Sequence, residues 1–162
     1  MRRRGPNGKG VGTFAAIGTA VSFLLLGLGS TVGAAAPSGS VTIVTKIDFS
    51  SFPFHGTFTV AAGASVLGCS QGTFADRPVT GFNSPSEIEK TFTCTAGANG
   101  SFTASFRPTP RPGPGIANGH WEIVPEGTGA YTNLRGGGDF SLLPLTPPFG
   151  QETLTGVITF FP

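Results

Sequence analysis

The sequence predicts an all-β protein built as an eight-stranded antiparallel β-barrel, with a two-sheet sandwich as the alternative. Three observations lead there. Short runs alternate apolar and polar residues with a period of two, the pattern of half-buried strands. The 26 Gly and 14 Pro punctuate those runs at turn positions. No segment sustains a 3.6-residue apolar period, and Thr and Phe, which favour strands, are abundant.

The first run places Val41, Ile43, Ile47 and Phe49 in one phase and Thr42, Lys46 and Asp48 in the other. After a break at Ser51-Phe52-Pro53, residues 56–60 carry Phe58 and Val60 in phase. Residues 65–74 form a third run with Leu67 and Cys69 on one face, between Gly63 and the turn-forming Asp76-Arg77-Pro78. The fourth, 87–95, points Ile88, Phe92 and Cys94 one way and Glu87, Glu89, Thr91 and Thr93 the other. Lys90 falls in the apolar phase, the one charged residue there. Gly97-Ala98-Asn99-Gly100 is a hairpin turn, because Asn-Gly accepts positive φ, and it leads into Phe102, Ala104 and Phe106.

Residues 108–115 contain four prolines and are excluded from a central strand. They read as an exposed loop, or as a Pro-rich ligand for another protein. Residues 119–124 send Trp121 and Ile123 inward and His120 and Glu122 outward. Residues 136–143 send Phe140 and Leu142 inward, which turns Asp139 outward. A second Pro-rich loop, 144–149, precedes the last strand, 153–161, with Leu154, Ile158 and Phe160 in phase. Eight short antiparallel strands protect their edges best by closing on themselves.

Ahead of this domain, residues 1–35 have the layout of a secretory signal peptide. Arg2, Arg3, Arg4 and Lys9 precede an apolar centre of 14 residues (15–28), and small residues follow at Val32-Gly33-Ala34-Ala35-Ala36. Cleavage is expected to leave Ala35 or Ala36 first, and no cysteine near the cut supports a lipid anchor. The rival reading is an uncleaved anchor, but a spanning helix needs about 20 apolar residues. Residues 36–162 are then a single secreted domain with no stable membrane insertion.

Removing the signal changes the charge balance. Six Lys and Arg remain against eight Asp and Glu, a net charge of −2. The cations that remain are scattered, so nucleic acid is not an expected partner. Cys69 and Cys94 are the only cysteines. An even pair in an exported chain points to a disulfide, against two buried thiols. No His or second cysteine pair stands near enough in sequence to suggest zinc, and neither metal nor cofactor is expected.

One segment carries a resemblance. Gly127-Thr128-Gly129-Ala130-Tyr131, followed by Leu134-Arg135-Gly136 and Gly138, resembles a motif of the allene oxide cyclase-like barrel proteins. That group includes the dirigent proteins and bacterial secreted proteins of unassigned activity. The resemblance covers about 20 residues sharply, and implies the eight-stranded barrel reached independently from strand count. Read physically, Gly127 and Gly129 allow a tight strand connection. One helical turn then lays Tyr131 and Leu134 over a barrel end, and Gly136 starts the next strand. A phosphate cradle would need a following helix, where a strand is expected instead.

The resemblance also implies an apolar ligand in the barrel, steered by a few polar groups. The carboxylates expected within strands are Asp48, Glu122 and Asp139, and the side chains best placed to meet a ligand are Lys90, Tyr131 and Arg135. A Ser-His-Asp set needs a histidine, and only His55 and His120 exist. Both are expected on the surface, so no catalytic residue is assigned. The leading reading is a secreted, non-enzymatic barrel that binds a small apolar ligand or is structural. One alternative is a dirigent-like or cyclase-like enzyme. The other is an extracellular interaction module using residues 108–115. Thirteen Phe in the mature chain suggest an interior filled largely by side chains.

Overall fold

A computed structural model of the chain describes residues 36–77, 88–109 and 117–162. The signal-peptide segment, Glu87 and most of the proline run 108–115 lie outside these residues. Among those described, eight strands follow one another: β1 (Ser38–Asp48), β2 (His55–Ala62), β3 (Cys69–Arg77), β4 (Ile88–Gly97), β5 (Ser101–Pro108), β6 (Ala117–Val124), β7 (Leu134–Pro144) and β8 (Phe149–Phe160). Each pairs antiparallel with its sequence neighbours, and β8 returns to pair with β1 from Ser38↔Thr159 to Asp48↔Phe149. The sheet is a closed barrel, which leaves no strand edge unpaired. The sandwich is thereby excluded.

The period-two pattern builds the interior. Val41, Ile43 and Ile47 of β1, Phe102, Ala104 and Phe106 of β5, Trp121 and Ile123 of β6, and Leu154 and Ile158 of β8 are all buried. Their alternating neighbours Lys46, His120, Glu122 and Thr155 are exposed. Phenyl rings fill the space across strands: Phe92 stacks on Phe102 at 5.0 Å, meets Phe58 edge-on at 5.4 Å and lies 5.8 Å from Phe74. Several rings lie over an inward glycine of the next strand. Phe58 faces Gly72, and a Cβ there would come within 2.5 Å of its ring. Trp121 pairs with Gly138 and reaches over Gly156 on the strand beyond, where a Cβ would come within 2.8 Å of the indole. Small residues opposite large ones let a narrow barrel close around bulky rings.

The two ends differ. The lower end carries the β4–β5 turn and the connections β2–β3 and β6–β7. There Tyr131 and Leu134 are fully buried, and a 3₁₀ turn (Gly129–Tyr131) delivers the Tyr131 ring onto Phe102 at 5.5 Å. Cys69 at the start of β3 and Cys94 near the end of β4 form a disulfide at this end. The upper end carries the connections β1–β2, β3–β4, β5–β6 and β7–β8.

Two expectations need correction. Residues 65–67 are not strand: Ala64–Leu67 is one helical turn, α1, which buries Leu67. Gly63 (φ 79°) and Gly68 (φ 72°) bracket it in left-handed conformation, which glycine adopts without steric cost. A turn this short has no helical period to read. The second correction is that β3 runs to Arg77 and β8 begins at Phe149, beyond the limits that turn chemistry suggests at Phe74 and Thr153.

Candidate functional site

Those extra strand residues change what the barrel contains. Continuing the phase Gly72, Phe74 along β3 brings Asp76 inside, and stepping back from Leu154 along β8 brings Glu152 inside. Both are buried, as is Lys90. Lys90 Nζ lies 3.4 Å from Asp76 Oδ1 and 3.6 Å from Glu152 Oε2. It sits 5.2 Å from the ring centres of both Phe74 and Phe106, within cation–π range. Lys90 is therefore not the solitary inward charge expected from sequence. It is the centre of a buried triad.

Register explains the meeting. Asp76 pairs directly with Lys90 across β3 and β4. Glu152 comes from the opposite side of the closed sheet, where it pairs with the buried Thr45 of β1. Each member lies one to three residues from the upper end of its strand, so the triad sits in the upper half. The lower half is plugged by Tyr131, Leu67 and Leu134.

The triad is electrostatically unfinished. Two carboxylates share one ammonium, and the oxygens that meet it, Asp76 Oδ1 and Glu152 Oε2, are buried and held by long ion pairs rather than short, aligned hydrogen bonds. Desolvation pushes the Asp76 carboxyl above its ordinary value, while Lys90 pulls it back. Burial also raises Glu152; Lys90 again opposes the shift and the Asp76 charge adds to it. Carboxyls raised in this way keep a proton to higher pH than free ones, and in their ionised form can receive a hydrogen bond from a bound molecule.

The other predicted residues do not converge on the triad. Tyr131 belongs to the lower plug, with its ring 6.3 Å from Phe160 and its hydroxyl donating to Ala98 O at 3.5 Å; burial raises its pKa. Arg135 turns back on its own connection and donates to Leu134 O at 2.7 Å. Gly127, Gly129 and Gly136 pack against backbone at that end. Asp48 is at the upper rim, where hydrogen bonds from the Ser50 side chain and the Ser50 amide (2.8 Å) lower its carboxyl pKa. Glu122 and Asp139 face outward. His55 is exposed at the start of β2, and His120 is exposed beside Asp139. Asp76 and Glu152 are the residues sequence reasoning missed, and the strand phase, carried two residues further, marks both.

An apolar collar surrounds part of the upper end. Phe52, Leu143, Leu145 and Phe149 are exposed there, and Phe54 contacts both Phe49 and Phe52 edge-on. No helix among the described residues is long and apolar enough to cross a membrane. No protein-family model matches the chain, and comparison with curated proteins and with solved structures gave no significant match.

Proposed function

We propose that this chain is an exported barrel of the allene oxide cyclase-like kind that binds, at its upper end, a small apolar molecule carrying a hydrogen-bond donor. The observation that carries this reading is the Asp76–Lys90–Glu152 triad, in which two buried carboxylates share one ammonium at 3.4 and 3.6 Å, and that ammonium lies over the rings of Phe74 and Phe106. A hydroxyl on a ligand would satisfy one of the carboxylates, and the rings of Phe74 and Phe106 would hold its apolar body. The plugged lower end and the apolar collar above support an upper location. The Cys69–Cys94 disulfide is compatible with export into an oxidising compartment.

Fluorescence titration with 2-naphthol tests it, with naphthalene as the analogue lacking a donor. Saturable binding of 2-naphthol, weakened about tenfold or more in naphthalene and in Glu152→Gln, is expected for loss of a hydrogen bond to a charged group. Equal affinity of the two probes, or no saturable binding, would overturn the reading.

A second reading is favoured by the raised carboxyls of Asp76 and Glu152, which suit proton donation in a cyclase-like or isomerase-like step. Recovering the ligand after incubation separates the two: an unchanged molecule supports binding alone, and a rearranged one supports catalysis.

A further inference from the structure

The outer wall of the barrel holds a second feature, distinct from the triad. On β7 the outward positions are Arg135, Gly137 and Asp139, so Gly137 leaves a gap in the outer layer. Its register partners are Glu122 on β6 and Val157 on β8. Over this gap lies a groove of about 420 Å³, lined by Ser105, Arg107, His120, Glu122 and Asp139, with the glycine run 136–138 as floor. That volume is within the range of small-molecule sites.

Register aligns the lining in two rows. Arg107 pairs with His120 and His120 with Asp139; in the next row Ser105 pairs with Glu122 and Glu122 with Gly137. His120 Nδ1 meets Asp139 Oδ1 at 2.6 Å, which fixes the ring and leaves Nε2 directed away from that carboxylate. Beneath the floor, the Trp121 indole N–H donates to the Asp139 and Thr155 carbonyls at 3.1 and 3.2 Å. The same Asp139 thus orients His120 through its side chain and holds Trp121 through its backbone.

The chemistry of the lining selects a ligand class. Among the described residues the lining holds one guanidinium, Arg107, and two carboxylates, Glu122 and Asp139, a balance that does not favour an anion. Among the described residues no His, Cys, Asp and Glu group has metal-holding geometry. The lining offers acceptors (the Glu122 and Asp139 carboxylates and His120 Nε2) and a hydroxyl, Ser105, that can donate or accept, around a floor of glycine backbone. Such an array matches adjacent hydroxyls of a ring that can lie flat on exposed backbone. We infer that this outer groove binds a neutral polyhydroxylated molecule of mono- or disaccharide size.

The test uses the full chain and its single tryptophan. Maltose, cellobiose and N,N′-diacetylchitobiose are titrated separately, read by Trp121 fluorescence and by saturation-transfer NMR on the sugar. At least one is expected to bind saturably. His120→Ala and Glu122→Ala, both at exposed positions, should each weaken it about tenfold with the melting temperature unchanged, while Glu152→Gln in the interior leaves it intact. Silence by both readouts for all three sugars, binding that both outer variants retain, or binding only of a sulfated disaccharide would overturn the inference.

Discussion

Glu152 and Asp76 place two carboxylates around one ammonium in the barrel interior, beside the rings of Phe74 and Phe106 and the buried Thr45, and that imbalance governs stability against pH. Burial raises both carboxyls in the folded state, whereas in the unfolded chain they titrate at about 4. Between that value and the raised ones, the folded protein holds more protons than the unfolded chain. Stability contributed by these groups is therefore fully present at low pH and is lost as pH climbs through the raised values. Melting temperature should rise as pH falls through the raised values toward the unfolded-chain value of about 4. Glu152→Gln, which leaves the one-to-one Asp76–Lys90 pair, should stabilise the protein at neutral pH by on the order of 1–2 kcal/mol and flatten the rise. Differential scanning calorimetry across pH decides it, and a variant less stable at neutral pH with the slope retained would contradict this account. These two residues were only half legible in the sequence. Alternation assigns them inward, but Asp76-Arg77-Pro78 and the prolines before Phe149 have the chemistry of turns and mark the strands as shorter than they are.

At the scale of elements, phase proved the readable quantity and boundaries the less readable one. Trp121, Phe140 and Leu154 point inward as their alternation requires, because a one-residue slip would expose a whole strand's apolar set. The α1 turn escaped, since four residues cannot establish a helical period and the two left-handed glycines around it suit many kinds of turn. The Gly127–Gly136 connection was legible because its purpose is local: it places Tyr131 at the lower end, packed on Phe102. Tyr131→Ala should cost about 3–5 kcal/mol, the usual range for truncating a buried aromatic residue. Tyr131→Phe should cost no more than about 1 kcal/mol, because the hydroxyl's one bond, to Ala98 O, is long at 3.5 Å. Chemical denaturation of both variants checks this, and equal losses would mean the hydroxyl, not the ring, closes the end.

For the barrel as a whole, closure makes the distant residues 76, 90 and 152 neighbours. β1 pairs with β8, which brings Glu152 round to the interior that Lys90 enters from β4. Strand count suggests closure, but which inward side chains meet across the lumen depends on register between strands, and that is not written in any local pattern. The same closure divides the molecule by height, with a ring-filled, disulfide-tied lower end and a charged upper half. The outer groove arises from a different local cause, the missing side chain at Gly137, and stands or falls separately.

The most direct test of the upper-end site is an amide NMR titration of the folded domain with 2-naphthol. Saturable shifts are expected at Asp76, Lys90 and Glu152 and at the flanking Phe74 and Phe106, with Tyr131 and Leu134 at the lower end unmoved. Shifts confined to the lower end or the outer wall, or none at saturating probe, would contradict it.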